Sequence, residues 1–464
     1  MSADLLQRYH FDPREFEELQ RRYRSGELSL ETNVITYGND WEVGVPLPED
    51  TAEFPGDGSP ESRAGAEIIS SGTYGLILMN GGAATRFQKP GERLPKGAFE
   101  IMEEGGRLRS FMELKLAHAR WASRHFGARL PVWILNSYFT DERTREILSE
   151  RGNFGKEDVF TYCQGIMKRV IPSAADIRAH YGKALRKLDL RLKSEAPAGR
   201  PALEKVRADL AEYIGFWADY GRAHAGDVVE SDEEENRYNP PGHLDTTLWL
   251  ILDPSRPLLT MVDLGIEYLG ISNIDNLGAT VDPALPGLLA LRERDGVGIL
   301  CEVSVKPPGQ KGGTLARVYA PEIGREWPQI VEEFAFPPDF DQDAIPDFNN
   351  ATYTVSVRGL LDLFGLDRER LRRASREELI ERARSLTDRL PVYVAIKELK
   401  ELGPSGEVDR PVVQFERLQG DLTRLLTPLA VKTAGRFFPV KKREDIPLVV
   451  PELRRALAGR LILD

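Results

Sequence analysis

Two cations, Arg86 and Lys96, follow closely on a glycine pair, Gly81-Gly82, that ends an apolar run from Tyr74 to Met79. Paired glycines remove the side chains that would hold backbone N–H groups away from phosphate oxygens, and nearby cations can neutralise the charge those oxygens carry. The combination reads as a strand running into a phosphate cradle, and nucleotide chemistry is the first expectation. No Gly-Lys-Ser/Thr closes the loop and no G-x-G-x-x-G is present, so it is neither a P-loop nor a dinucleotide fingerprint. A glycine pair after a strand also fits a plain connecting turn, so the rest of the chain has to decide.

Such a loop needs a sheet behind it. Short apolar runs at 76–79, 132–135, 268–272 and 298–305 alternate with helical patterns, which predicts an α/β fold with a mostly parallel sheet and ligands at the carboxyl ends of its strands. Residues 1–70 read as an N-terminal extension. It begins with a charged helical stretch, starting near Phe11-Asp12-Pro13, and continues as a Pro/Gly-rich connector from Val45 to Gly65 expected to wrap the main domain. Within the catalytic domain expected over 71–430, Ile177–Lys193 and Leu203–Tyr220 each show helical periodicity around a break at 196–201, predicting a helical hairpin inserted at about 174–236. Surface decoration, substrate lid and oligomer contact are all open for it. The acidic run Glu230–Glu235 reads as solvated linker, because contiguous like charges repel rather than converge on an ion. Residues 431–464 form a short C-terminal segment.

Composition narrows the class. A chain of 464 residues with 41% hydrophobic content can bury a large core, and a formal charge of −11 argues against a nucleic-acid partner, so an anionic ligand must be held by a local basic cluster. Cys163 and Cys301 are the only cysteines, which suits a reducing, cytoplasmic setting and excludes a disulfide scaffold. No signal-like apolar segment opens the chain, and no run of about 18 apolar residues could span a membrane.

Further segments carry a resemblance. The loop at 81–97 resembles that of nucleotide-sugar pyrophosphorylases, Gly-Gly-x-Gly-Thr-Arg followed by Pro-Lys. Asn136-Ser137-Tyr138-Phe139-Thr140, Asn239-Pro240-Pro241-Gly242-His243-Leu244-Asp245, Asn273-Ile274-Asp275-Asn276-Leu277-Gly278, Lys311-Gly312-Gly313-Thr314 and Phe437-Phe438-Pro439-Val440-Lys441-Lys442 follow in order. Together they are similar to the UDP-glucose pyrophosphorylase family, which includes the UDP-N-acetylglucosamine pyrophosphorylases. The resemblance implies a Rossmann-like nucleotidyltransferase (GT-A-like) core and a Mg²⁺-dependent reaction of UTP with a sugar 1-phosphate, giving a UDP-sugar (UDP-glucose first) and pyrophosphate.

Roles follow from the matching positions. A pyrophosphorylase must align two polyanions for in-line attack on the α-phosphorus, a task of charge neutralisation and positioning that needs no side-chain nucleophile. Lys96 and Lys441, with Arg86, are the expected catalytic cations. The resemblance assigns Met79, Asn80, Gly81, Gly82 and Thr85 to the nucleotide, with Gln164 reading uracil and Gly242 adding a backbone contact. It places His243, Asn273 and Asn349 at the sugar phosphate or sugar. Asp275, at the end of a strand, is the expected Mg²⁺ ligand; capping the following turn is its alternative.

Departures stand beside these matches. Ala84 and Leu244 occupy positions where the family has glycine, and a glycine lost at positive φ would cost about 1 kcal/mol or reshape the loop. Ala351 and Thr352 replace asparagines of the sugar segment, so the sugar stays open between glucose, galactose and N-acetylhexosamine. A silent nucleotide-sugar-binding homologue is the competing class. The stretch after Lys442 is too short for the C-terminal β-helix of the eukaryotic UDP-glucose enzymes, so oligomers built on it are not expected.

Overall fold

The computed structural model of the chain describes residues 2–35, 41–82, 94–196, 199–306, 312–320, 324–403, 406–438, 440 and 443–463. Contacts divide the chain into two units assembled from non-consecutive segments: a larger one of residues 40–165, 243–391 and 418–464, and a smaller one of residues 1–39, 166–242 and 392–417. Residues 1–70 are thus shared between the two.

Among the described residues, the larger unit is organised on an eight-stranded sheet. In chain order its strands are β1 (Thr51–Glu53), β2 (Tyr74–Met79), β3 (Val132–Asn136), β4 (Val159–Cys163), β5 (Tyr268–Asn273), β6 (Ile299–Val305), β7 (Asp347–Ser356) and β8 (Pro428–Lys432), lying side by side as β1-β8-β6-β7-β5-β2-β3-β4. Only β7 runs antiparallel to its neighbours, β5 and β6; every other pairing is parallel. The α/β, mostly parallel reading is borne out. A parallel sheet must be covered on both faces, and alternate side chains of β2 and β3 feed two cores accordingly. Ile77, Met79, Trp133 and Leu135 enter one with Leu269 and Ile271, while Tyr74, Leu78, Val132 and Ile134 enter the other with Phe111, Met112 and Leu114.

Because β2, β3, β4 and β5 are parallel, their carboxyl ends, Met79, Asn136, Cys163 and Asn273, lie along one edge. The chain leaves β2 to build β3 and β4 on one side, then returns to build β5 on the other. That reversal is the kind of switch point at which open α/β sheets bind ligands. Antiparallel β7 brings its amino-terminal half, not its carboxyl end, to the same edge beside the exit of β5.

The stretch from Val45 to Gly65 contributes β1 and enters the helix Pro60–Ser70, whose N-cap Ser59 accepts from the Ser62 N–H at 3.0 Å. This helix crosses the helix Ala284–Arg292 at two glycines. A Cβ on Gly65 would overlap the Pro283 carbonyl, and one on Gly287 would overlap the Glu61 carbonyl, so the two backbones meet without side chains between them.

In the smaller unit, Asp12 caps the helix Pro13–Ser25, as the Asp-Pro pair predicts. Its apolar face, Phe16, Leu19 and Tyr23, packs on a ribbon of Tyr393–Gly403 and Gly406–Glu416 through Val394, Ile396, Val413 and Phe415. The inserted hairpin is present as Ala174–Ser194 and Arg200–His224, antiparallel helices joined by contacts among Ile177, Tyr181, Ile214 and Ala218 and by an Asp189–Arg207 ion pair at 2.5 Å.

The glycine crossing gives a direct test: Gly65→Val should cost about 1–3 kcal/mol by overpacking. The expected readout is a thermal midpoint lowered by several degrees, whereas Gly44→Ala, where a Cβ meets open space, should leave the midpoint in place.

Candidate functional site

Asn80, fully buried, follows β2 and organises the edge from its amide. Its Nδ2 donates to Asn136 Oδ1 and Thr144 Oγ1, both at 3.0 Å, and its Oδ1 accepts from the Gly97 N–H at 3.0 Å. One side chain therefore ties the exit of β2 to the exit of β3, to the helix Asp141–Glu150 and to the turn that carries Lys96. A Cβ on Gly97 would lie 2.7 Å from Asn80 Oδ1, so only glycine leaves room for this bond. Lys96 N–H in turn donates to the Gly82 carbonyl at 3.3 Å, closing the two ends of the glycine loop on each other.

Lys96 and Asp275 meet. The Lys96 ammonium forms an ion pair with Asp275 Oδ2, with side chains 21% and 14% exposed, open enough to reach a ligand yet sheltered enough for the attraction to matter. Asp275 is placed by the backbone on either side: Ile274 N–H donates to the Met79 carbonyl at 3.0 Å, and Asn276 N–H to the Asn273 carbonyl at 3.1 Å. The pair thus spans the switch point between β2 and β5. Met79 and Asn273 are register partners there.

Gln164 continues β4, its N–H donating to the Asn136 carbonyl at 2.9 Å. Its amide lies against Gly81, where a Cβ would come within 2.5 Å of Nε2, so the glycine of the loop and the candidate uracil reader are sterically matched. Two carboxylates to which the sequence assigned no role, Asp245 and Asp253, brace this turn. Asp253 accepts from the Cys163 N–H at 2.9 Å and Asp245 from the Gly165 N–H at 3.0 Å.

His243 accepts the Gln419 N–H at Nδ1 (2.8 Å), which leaves its ring proton on Nε2 as a donor. Gly242 belongs to the smaller unit and has φ of 108°, with the Arg417 carbonyl where a Cβ would stand, so no other residue fits. Leu244, by contrast, has φ −59° and ψ −26° and is completely buried: the backbone there does not call for glycine, and the departure is a core substitution without strain. Asn349 lies on β7 with its amide engaged locally, Nδ2 donating to Tyr353 Oη at 2.9 Å and Oδ1 accepting from the Ala351 N–H at 3.1 Å. Ala351 takes the left-handed φ of 51° at an irregularity of β7 opposite β6, and Thr352 Oγ1 accepts from Asn276 Nδ2 at 3.3 Å. Thr85, Arg86, Ala84, Lys311 and Lys441 lie outside the described residues.

The segment leading to Lys441 is anchored on the same loop as Asp275. Phe438 N–H donates to Asn276 Oδ1 at 3.2 Å, and a Cβ on Gly278 would fall 2.5 Å from the Arg436 carbonyl. Arg436 is buried and forms a two-pronged pair with Glu302 of β6 at 2.7 and 3.1 Å, while also donating to Thr280. Burial opposes its charge, but the Glu302 carboxylate overrides that and holds the guanidinium pKa above its ordinary value. Behind the loop, Lys115 of the helix Phe111–Phe126 donates to Ser272 Oγ (3.3 Å) and the Ala279 carbonyl (2.9 Å), and His118 one turn later accepts from the Val281 N–H at 2.9 Å. Arg436, Asp245 and Asn276 stood inside motifs already singled out. Lys115 gave no signal, because this helix is buried on several faces and its buried polar residues, Glu113, Lys115 and His118, are mixed among apolar ones.

Among the described residues no group of three His, Cys, Asp or Glu could hold a metal ion by itself. A lone carboxylate at an edge suited to phosphates fits Mg²⁺, which usually takes one or two carboxylates and draws its other ligands from phosphates and water. No helix among the described residues is long and apolar enough to cross a membrane.

Comparison with known proteins agrees with this fold. The family described as UTP–glucose-1-phosphate uridylyltransferase matches residues 67–178 and 225–344, half of the chain. A probable UTP–glucose-1-phosphate uridylyltransferase of Schizosaccharomyces pombe is 26% identical over 301 residues, 64% of this chain and 47% of that protein, so the chain spans about half the length of that relative. The enzyme of Hordeum vulgare is 24% identical over 96% of this chain and 75% of its own length. Among solved structures, the UDP-N-acetylglucosamine pyrophosphorylase of Trypanosoma brucei superposes with a TM-score of 0.61 at 17% identity, covering 96% of this chain and 76% of that one. A mutant UDP-glucose pyrophosphorylase of Leishmania major in complex with UDP-glucose gives 0.59 at 17% identity, covering 93% and 74%. The sheet is therefore that of the nucleotidyltransferase fold, and the chain belongs to the UTP–glucose-1-phosphate uridylyltransferase family.

Proposed function

We propose that the chain is a cytoplasmic UTP:sugar-1-phosphate uridylyltransferase that forms a UDP-sugar and pyrophosphate, with glucose 1-phosphate as the first candidate and galactose or N-acetylhexosamine 1-phosphates next. The observation that carries the reading is the Lys96–Asp275 pair across the switch point, a cation and an acid set side by side at the sheet edge beneath a glycine loop. The buried thiols of Cys163 and Cys301 suit a reducing compartment.

In this reading the uracil edge is read by the Gln164 amide, whose donor and acceptor match a carbonyl and an N–H of the base. The backbone N–H groups of Gly81 and Gly82 turn to the triphosphate. Asn273 and His243 Nε2 hold the sugar phosphate with one oxygen in line behind the α-phosphorus. That oxygen forms a bond to phosphorus as the bond to the bridging oxygen of pyrophosphate breaks, and no proton transfer is required of the protein. Lys96, Arg86 and Lys441 neutralise the negative charge that grows on the phosphoryl oxygens. Mg²⁺, held by Asp275 and phosphate oxygens, would supply further charge neutralisation and alignment.

Pyrophosphate release measured with each nucleoside triphosphate and a panel of sugar 1-phosphates, with and without Mg²⁺, tests the proposal: turnover is expected with UTP and Mg²⁺ only. Silence across the panel, with a UDP-sugar still bound, would leave a nucleotide-sugar-binding protein instead. Lys96→Met and Lys441→Ala should each lower kcat by about 100-fold or more while UDP-sugar binding changes modestly, the signature of a charge used in the transition state. Gln164→Ala should erase the preference for UTP over CTP by about 1–3 kcal/mol in kcat/KM, since the base would lose its side-chain partner.

A further inference from the structure

The loop from Asn273 to Gly278 carries Asp275 and is shaped by its own backbone bonds, Ile274 N–H to the Met79 carbonyl and Asn276 N–H to the Asn273 carbonyl, but these leave its two ends to be tied together from elsewhere. The helix Phe111–Phe126 ties them from behind. Lys115, 5% exposed, reaches the loop's two ends with one ammonium group: Ser272 Oγ at its start (3.3 Å) and the Ala279 carbonyl at its close (2.9 Å). His118 lies one turn along the same helix. It accepts from the Val281 N–H at 2.9 Å, and with Nε2 thereby an acceptor, Nδ1 carries the proton to the Arg460 carbonyl at 3.0 Å.

A buried lysine is a costly way to close a loop. Burial, helped by the neighbouring Arg436 charge, pushes the Lys115 pKa down to about 7, against the pull of the Asp275 and Glu302 carboxylates. His118 is pushed down to about 3, chiefly by burial, and stays neutral. An apolar side chain would pack there at less cost in desolvation. An apolar side chain, however, could not bond the hydroxyl and the carbonyl together, whereas the Lys115 nitrogen reaches both.

We propose that Lys115 is a positioning residue, holding the Asn273–Gly278 loop closed so that Asp275 is presented in the geometry that receives a metal-bound triphosphate. The inference rests on the uridylyltransferase reading. Its action is indirect: Lys115 touches the loop's ends, Asp275 touches the ligand, and the Phe438–Asn276 and Arg436–Thr280 bonds fasten the C-terminal segment to the same loop. A loosened loop would therefore weaken the metal-dependent part of triphosphate binding and the rate, while leaving the uracil contacts of the remote Gln164 turn intact.

The experiment compares wild type, Lys115→Met and Lys115→Arg by steady-state kinetics and by calorimetric UTP titration with and without Mg²⁺. Loss of a supporting hydrogen bond behind a metal ligand typically costs about 10- to 100-fold. Lys115→Met is expected to lower kcat by about that factor, to raise the Mg²⁺ needed for half-maximal rate, and to lose most of the Mg²⁺-dependent gain in UTP affinity; metal-free UTP affinity should be kept, and Lys115→Arg should recover part of the loss. Thermal denaturation from pH 6 to 9 adds an independent reading. Below about pH 7 the native state must bury the ammonium, and above it the native state sheds a proton that the unfolded chain keeps until near pH 10.5, so wild type should gain stability relative to Lys115→Met as pH rises. Should Lys115→Met fold poorly, Ser272→Ala removes one end of the bridge and should shift the Mg²⁺ dependence in the same direction. Wild-type turnover with an unchanged Mg²⁺ response in Lys115→Met would overturn the proposal, as would equal losses in kcat, KM and metal-free binding. Absence of turnover in wild type itself would overturn the uridylyltransferase reading, and the calorimetric comparison would still decide the role of Lys115.

Discussion

A carboxylate standing alone at the edge of the sheet would repel any anion that approached it. The ion pair between Lys96 and Asp275 offsets that charge, and the surrounding structure is arranged around the place where the pair forms. Chain reversal between β2 and β5 opens the edge there, glycines keep the backbone bare, and buried amides fix where each turn leaves the sheet. For a chain with a net charge of −11, attracting an anion to this edge requires local cations such as Lys96.

The buried polar groups near this edge form a continuous scaffold rather than scattered bonds. Asn80 joins the first two strand exits to the Lys96 turn, and Asp245 and Asp253 hold the third. Asn276 links the fourth to β7 and to the C-terminal segment. Each is a short side chain bonded to backbone or to another buried side chain, so its geometry is set with little rotamer freedom. Breaking one would leave its partner unsatisfied in a dry interior, which is the costly case for a hydrogen bond.

Departures from the family pattern carry different weights once backbone angles are known. Leu244 strains nothing locally, because its φ is negative and its side chain fills the core. Ala351 does sit at positive φ, where asparagine is better tolerated than alanine, and it adjoins Asn349, whose amide is already engaged by Tyr353 and by the Ala351 N–H. The segment from Asn349 to Thr352 is thus where this chain differs most from the motifs it otherwise keeps.

From the sequence alone came the alternation of apolar runs with helical patterns, and with it the parallel sheet, because strands buried on both faces must be apolar throughout. The ordered motifs also named Lys96, Asp275, Gln164 and His243, since short-range spacing around glycine and proline survives as a readable pattern. Tertiary structure decided what spacing cannot: that Lys96 and Asp275, 179 residues apart, form one pair; that Gln164 packs on Gly81; and that a lysine hidden in an apolar helix closes the Asp275 loop. Those facts depend on which strand lies next to which and on how a buried charge finds its acceptors, and both are settled only when distant segments share one interior.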